Sequence, residues 1–578
     1  MSIMRKAIAL ALLLIVAATL LASPSFAQDN KPFAVVSVKS YDGLMDGVGK
    51  IGEIVGLPQA AMMVQGPIMQ LTQGQGLAGV DTKRPWGATF TFVEGGSVSQ
   101  LAFLPVTDFQ ALLKLSPLPA EDVGGGIYEI NMGGPAAVLL VKQQGDWAFL
   151  TSAESAFESL PEDPAALLGE LPSKYLVATR LAVQEIPEDV RQQWVDFFHM
   201  MSNAGGQFGP GGFGEADEDA PVPAQVQQIQ MLLEESKDYE VGLLVDDQKN
   251  ELVMEIVATA VDGSALAASY NRYQETESAF SGLLSLDAPF SLLVAQRGEM
   301  TGVEKEALSE QQEELKANLI ASLDEDESLP NEAKAMIGQA LSDLIDVGYD
   351  TLKSGSVDFG YRAELAPSPN VVAGGSVVDG KAVDGAIKRL GKLLEGGEGI
   401  PQIDWDADTI DGHSIHRVSI PISEDERDDF GPVLYDIDEL TIIAAIADKS
   451  VFMAAGGAPE ELLKKVMAES KAGASKKRLP FEMTVSAKSV LDWLVDVGTR
   501  MANDENGAGP GQQEMMMMQM LAQSLAASQG KDHLRITAES IPDGSKSRII
   551  IEEGLLQLMQ MPMQMMMMGA QGGPFPGQ

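Results

Sequence analysis

The chain has 578 residues, no cysteine, and 83 acidic against 40 basic side chains, giving a net charge of −43. Disulfides, cysteine nucleophiles and thiolate metal sites are therefore excluded. Nucleic acid is not expected as a partner either, because phosphate binding needs clustered Lys and Arg.

Residues 1–27 have the three parts of a cleaved secretory signal. Arg5 and Lys6 come first, an apolar run follows over 7–22, and the small residues Ser25 and Ala27 precede a cleavage point at Gln28. The apolar run is short for a membrane span. No cysteine follows it to carry a lipid, and no later segment is long and apolar enough to cross a bilayer. Loss of Arg5 and Lys6 takes the charge to −45 (−43 minus 2). The expected location is secreted, periplasmic or at the cell envelope.

From there the patterning repeats itself. The first half predicts a strand over 33–38, a helix over 42–55, strands over 87–93 and 97–105, a helix over 108–115 and a strand over 126–130. A strand pair over 136–143 and 147–151 leads to a helix over 153–160, a strand over 175–183, a helix over 188–198 and a hairpin of 239–245 with 252–260. The second half predicts the same succession: strand 290–295, helix 304–323, strands 357–365 and 370–378, helix 379–394 and strand 412–420. Strands 440–447 and 450–455, helix 459–468, strand 481–487, helix 489–501 and the hairpin of 533–540 with 547–552 complete it.

These runs carry the β-branched and aromatic residues of strands, and Thr107 or Asp108, Ser152 and Ser489 stand where helix caps belong. Short links favour antiparallel pairing, while the segments after Val38, Val183 and Ala487 are long enough for parallel crossovers. The expected fold class is α+β: two tandem similar halves, each a mainly antiparallel sheet covered on one face by helices. The expected organisation is a signal at 1–27, halves at 28–287 and 288–558, and a Met-, Gly- and Pro-rich tail at 559–578. The stretches 203–226 and 503–513 read as insertions too polar or Gly-rich to order themselves.

Candidate sites are few. Methionines 515–518 with Met520, and Met559, Met561, Met563 and 565–568, form clusters of soft thioethers that suit Cu(I), with Met515, Met518, Met565 and Met568 the weak candidates for ligands. The bland reading is an apolar helix and a sticky tail. Asp404, Asp406 and Asp408 alternate as in a calcium loop, but Thr409 and Ile415 stand where Gly and Glu are required, so a solvated loop is expected. His413 and His416, three apart in a strand, face opposite ways and cannot share a metal; they read as surface or edge histidines. Gly47, Gly49 and Gly52 spell the dinucleotide fingerprint but lie in or after a helix. Ser, metal and P-loop hydrolase motifs are missing, and no cofactor is expected.

The phrase running from Gly76 to Gly87, GLAGVDTKRPWG, and the later GDWAFLTS of 145–152 resemble uncharacterised secreted duplicated α+β proteins of planctomycete-type bacteria. That resemblance implies export and a duplicated body, and no activity. The expected role is an exported non-catalytic binding or scaffolding protein, holding an apolar ligand between sheet and helices or engaging an envelope protein. The alternatives are a hydrolase of envelope polymers working through a carboxylate pair, and a copper-handling protein.

Overall fold

The structure, a computed structural model, describes residues 31–558 apart from 73, 94–96, 117, 132–137, 204–223, 327–328, 395–401, 424–432, 434–436 and 504–509. The expected signal, most of both insertions and the tail with Met565 and Met568 lie outside the described residues. The chain divides into two compact units, Met1–Ala267 with Ile550–Gln578, and Ala268–Ile549. The expected boundary at 287/288 stands further along the chain.

The first unit runs β1 (Ala34–Val38), α1 (Tyr41–Ile54), α2 (Ala60–Leu71), β2 (Trp86–Phe92), β3 (Val98–Pro105) and α3 (Phe109–Leu113). It continues through β4 (Ala120–Gly124), β5 (Ile127–Asn131), β6 (Val138–Gln144), β7 (Trp147–Thr151), α4 (Ala165–Leu168), α5 (Leu171–Lys174) and β8 (Val177–Ala182). It ends on α6 (Glu188–Asn203), α7 (Ala224–Glu235), β9 (Ser236–Asp246) and β10 (Glu251–Ala260). Its strand order is β10-β9-β8-β1-β2-β3-β7-β6-β5-β4, antiparallel at every pairing.

After α8 (Ala265–Arg272), the second unit runs β11 (Thr276–Glu277), β12 (Phe290–Arg297), α9 (Gly302–Glu325), α10 (Asn331–Lys353), β13 (Ser356–Glu364), β14 (Asn370–Ser376) and α11 (Gly380–Leu394). Then come β15 (Gln402–Ile410), β16 (His413–Pro421), β17 (Glu439–Ala447), β18 (Ser450–Gly456), α12 (Pro459–Gly473), β19 (Lys477–Arg478) and β20 (Phe481–Ser486). Helices α13 (Ala487–Asn503) and α14 (Gln512–Ala526) precede β21 (His533–Ile541) and β22 (Gly544–Ile551), and α15 (Glu553–Leu558), which belongs to the first unit, follows. The strand order is β21-β20-β12-β13-β14-β18-β17-β16-β15, again antiparallel, with β11 and β19 forming a separate ribbon. It is the order of the first unit from β9 to β4, strand for strand. The expected parallel crossovers are corrected: the long excursions after β1, β8 and β20 return antiparallel.

Local chemistry explains the element ends. Asp108 caps α3 by accepting from the Ala111 N–H at 3.0 Å. Pro459 opens α12 with Glu460 and Glu461 in its first turn, where the helix dipole favours acids. The cap of α13 is Ser486, which accepts from the Ser489 N–H at 3.1 Å, so Ser489 lies inside the helix. The helix expected over 153–160 shortens to a single 3₁₀ turn, Glu154–Phe157, because Pro161 and Pro164 follow it.

Helices cover both faces of each sheet, and the one-face expectation is corrected. In the second unit Ile443 and Ala445 pack with Leu463 and Val466 of α12, while their neighbours Ala444 and Ile446 pack with Val347 of α10 and Val383 of α11. In the first, Trp147 and Phe149 pack with Leu168 and Leu171, while Ala148 packs with Phe109 and Leu113 of α3. The continuous apolar run of β17, Leu-Thr-Ile-Ile-Ala-Ala-Ile-Ala, is what a strand buried on both sides requires.

Candidate functional site

The site of most interest lies on the α12 face of the second sheet. The turn from β15 to β16 and the turn from β17 to β18 bring His413 and Ser450 together, with His413 Nε2 2.8 Å from Ser450 Oγ. Beyond them a cleft of about 290 Å³ runs between sheet and helix, walled by Phe280, Phe452, Met467 and Ala474. Asp411 and Lys471 lie at its polar end and form an ion pair.

Phe280 reaches the cleft because its backbone is clamped. Ser278 Oγ donates to buried Asp358 at 2.6 Å and the Ala279 N–H donates to the same carboxylate at 2.8 Å. Burial pushes the Asp358 carboxyl above its ordinary range, against the pull of those two donors. The Gly282 N–H donates to Ser470 Oγ on α12 at 3.0 Å, and buried Arg362 donates to the Gly282 carbonyl at 3.2 Å while pairing with Glu469 of the same helix at 2.7 Å. Gly282 itself sits against the Val466 carbonyl, where an added Cβ would come within 2.4 Å. The Phe280 and Phe452 rings meet at 5.0 Å.

The equivalent place in the first unit is filled. There Phe103, Phe149, Lys142 and Ile127 are cross-strand partners in a row. In the second unit that row reads Gly374, Phe452, Ala445 and Ile415. Trp147 and Ser450 hold the same position, each opening its strand after a two-residue turn. Trp147 is 3% exposed and packs edge-on against Phe103 at 5.8 Å. Two large rings of the first unit thus correspond to a glycine and a serine in the second, and Phe280 takes back only part of the space. His413 has no counterpart, because β5 starts at Ile127 whereas β16 starts two residues before Ile415.

A Ser–His contact also raises the question of nucleophilic chemistry. Hydrolytic pairs rely on a third group that orients the imidazole. Among the described residues none bonds His413 Nδ1, which is enclosed without a partner.

His416 points to the other face and is 1% exposed, so it is a core residue and not a surface or edge one. Its Nδ1 accepts from the Asp406 N–H at 3.1 Å, which leaves Nε2 to donate to Asp384 Oδ1 at 2.7 Å. Asp384, Asp406 and His416 have the mutual spacing of metal ligands. The chain supplies its own cation there: Lys388 Nζ lies 3.2 Å from Asp384 and 3.0 Å from Asp406. Burial opposes the Lys388 charge, but hydrogen bonds to Asp406 and Asp384 outweigh it and raise its pKa. The Ser414 hydroxyl and then Lys388 hold the Asp406 carboxyl below its ordinary value.

The other candidates fall as follows. The Asp404–Asp408 run is a bulged edge strand, not a loop before one; Asp406 takes a left-handed φ of 50° and the register slips between Asp404 and Asp408. Met515 and Met518 turn inward on α14 and pack against Gly498 of α13, while Met516, Met517 and Met520 are exposed. Gly47 and Gly52 lie inside α1 and serve close packing, against Leu176 and against Leu57 with Ala60. The cleft itself was missed. Its signal in the sequence was the exchange of Trp147 for Ser450 and of Phe103 for Gly374 at matching positions of the two strand orders.

Comparison with protein-family models, with curated proteins and with solved structures finds no match to this chain.

Proposed function

We propose that the protein is an exported, non-catalytic binding protein whose second unit holds a small apolar molecule between α12 and the sheet. The observation that carries this is the cleft walled by Phe280, Phe452 and Met467 with one polar end at His413 and Ser450. Ligand sites combine apolar walls with a few placed polar groups in this way. Its volume, about 290 Å³, is on the order of ten water volumes, which suits one ring system or a short chain and not a two-chain lipid. The matching position in the first unit is packed with Trp147, so one site per chain is proposed, and we read the shared strand order as one body copied and then emptied on one side.

Ligand-observed NMR with toluene on the full chain tests the reading. Binding is expected for the parent and is lost in Ser450→Trp, which refills the cleft as Trp147 does in the first unit. Equal toluene signals for the two proteins would remove the site. The carboxylate-pair alternative gains nothing from the clefts, since this one and a second beside α9 and α10 are each lined by one acid, Asp411 and Asp358. The copper alternative loses Met515 and Met518 to packing.

A further inference from the structure

We infer that the ligand of this cleft is a planar aromatic molecule with one neutral N–H or O–H donor, of the indole or phenol class; the inference rests on the binding role proposed above. Three observations lead to it. The first is the row equivalence: where the second unit has the cleft, the first has the Trp147 indole, buried at 3% exposure. The chain thus fills one of two matching positions with a fused ring that carries an N–H donor.

The second is the hydrogen-bonding capacity of Ser450. A hydroxyl has one donor and two acceptor positions. Ser450 Oγ spends one of these on His413 Nε2 at 2.8 Å. If the serine donates, both lone pairs remain; if the imidazole donates, one lone pair and the O–H remain. A free acceptor is left under either tautomer, so a donor on the ligand is always satisfied, whereas a ligand with only an acceptor is satisfied in one case alone.

The third is charge. The cation nearest the polar end, Lys471, is paired with Asp411, and the chain carries a net charge of −43. Negative potential of that sign discourages an anionic ligand. The walls agree with an uncharged ring: Phe280 and Phe452 offer tilted aromatic faces at 5.0 Å from one another and Met467 a polarisable thioether, which favours aromatic contact.

The test titrates the full chain by calorimetry with indole, 4-ethylphenol, toluene and benzoate. Indole and 4-ethylphenol are expected to bind about fivefold tighter than toluene, the worth of one neutral hydrogen bond of roughly 1 kcal/mol. Benzoate is expected to bind more weakly than toluene. In Ser450→Ala, which leaves both rings in place, the preference over toluene should fall to about one. Equal affinity of toluene and the donors in the parent, or tighter binding of benzoate, overturns the ligand class and leaves the binding role standing. Failure of all four probes to bind overturns the binding role itself. Retention of the fivefold preference in Ser450→Ala overturns the assignment of Ser450 as the acceptor.

Discussion

Removing the Trp147 side chain asks whether the first unit is filled where the second is open. Trp147 is 3% exposed, meets Phe103 edge-on at 5.8 Å and carries the Arg84 guanidinium over its ring at 4.3 Å. Trp147→Ala deletes about 2 kcal/mol of transfer free energy. A residual void on the order of 100 Å³ adds about 2.4 kcal/mol at ~24 cal/mol per Å³. The sum, about 4 kcal/mol, falls within the usual range for buried Trp. By scanning calorimetry of the full chain the first unit's transition should move down by on the order of 10 °C, given ~2–4 °C per kcal/mol for a body of this size. The vacated space should then accept indole, and indole at ten times its dissociation constant should return about 1.4 kcal/mol. Ser450→Ala, at the matching position of the second unit, should cost under about 1 kcal/mol. A loss below about 1 kcal/mol in Trp147→Ala would refute the reasoning, because the ring would then not be filling a packed space and the cleft could not be its vacated counterpart.

Further expectations follow from the same contacts. Gly374→Ala places a Cβ 2.6 Å from the Phe452 ring; the ring must swing into the cleft, so toluene binding should weaken at least several-fold and stability fall by about 1–3 kcal/mol, which NMR titration and urea unfolding measure. His416→Ala removes a buried ring with two hydrogen bonds and leaves a void, a loss of about 3 kcal/mol confined to the second unit's transition. Burial raises the Glu482 pKa above 4.5. Its folded value exceeds its unfolded one, so its contribution to stability is whole below the unfolded pKa and is lost as pH rises through the folded pKa. Glu482→Gln should therefore gain on the parent as pH is raised from 4 towards 7, and a constant difference across that span in denaturant titrations contradicts the burial argument. Intact-mass analysis of the exported chain should give a mature protein beginning at Gln28.

Most strands could be read directly, because hairpin pairs such as β6–β7 and β17–β18 combine short β-branched and aromatic runs with tight polar turns. What stayed hidden depended on partners distant in sequence. Helix α10 starts after Pro330 without a side-chain cap, and it lies between two strands where α9 alone was expected. Strand β15 spells acid at alternate positions, which reads as a loop until β16 pairs with it. His416 looked like an edge residue because its partner Asp384 stands 32 positions away on α11. The Met515 and Met518 side chains gave no hint of direction until Gly498 opened a place for them. The cleft was legible only as a comparison between halves: one hairpin starts with Trp and the other with Ser.

The outermost strands of the two sheets deserve a last consequence. β4 and β15 each pair on one side alone among the described strands, and both are acidic and interrupted by a bulge, at Asp122/Gly124 and at Asp404/Asp408. An unpaired strand is a template for fibril growth, and like charges set along a kinked one prevent a second molecule from zipping onto it. Carboxylates that spell out a cation loop on paper thus guard solubility. A chain without cysteine has no disulfide to hold such an edge in place, so the charges carry that protection. Replacing Asp404 and Asp408 by valine should make the chain seed fibres, which thioflavin fluorescence of the two proteins compares.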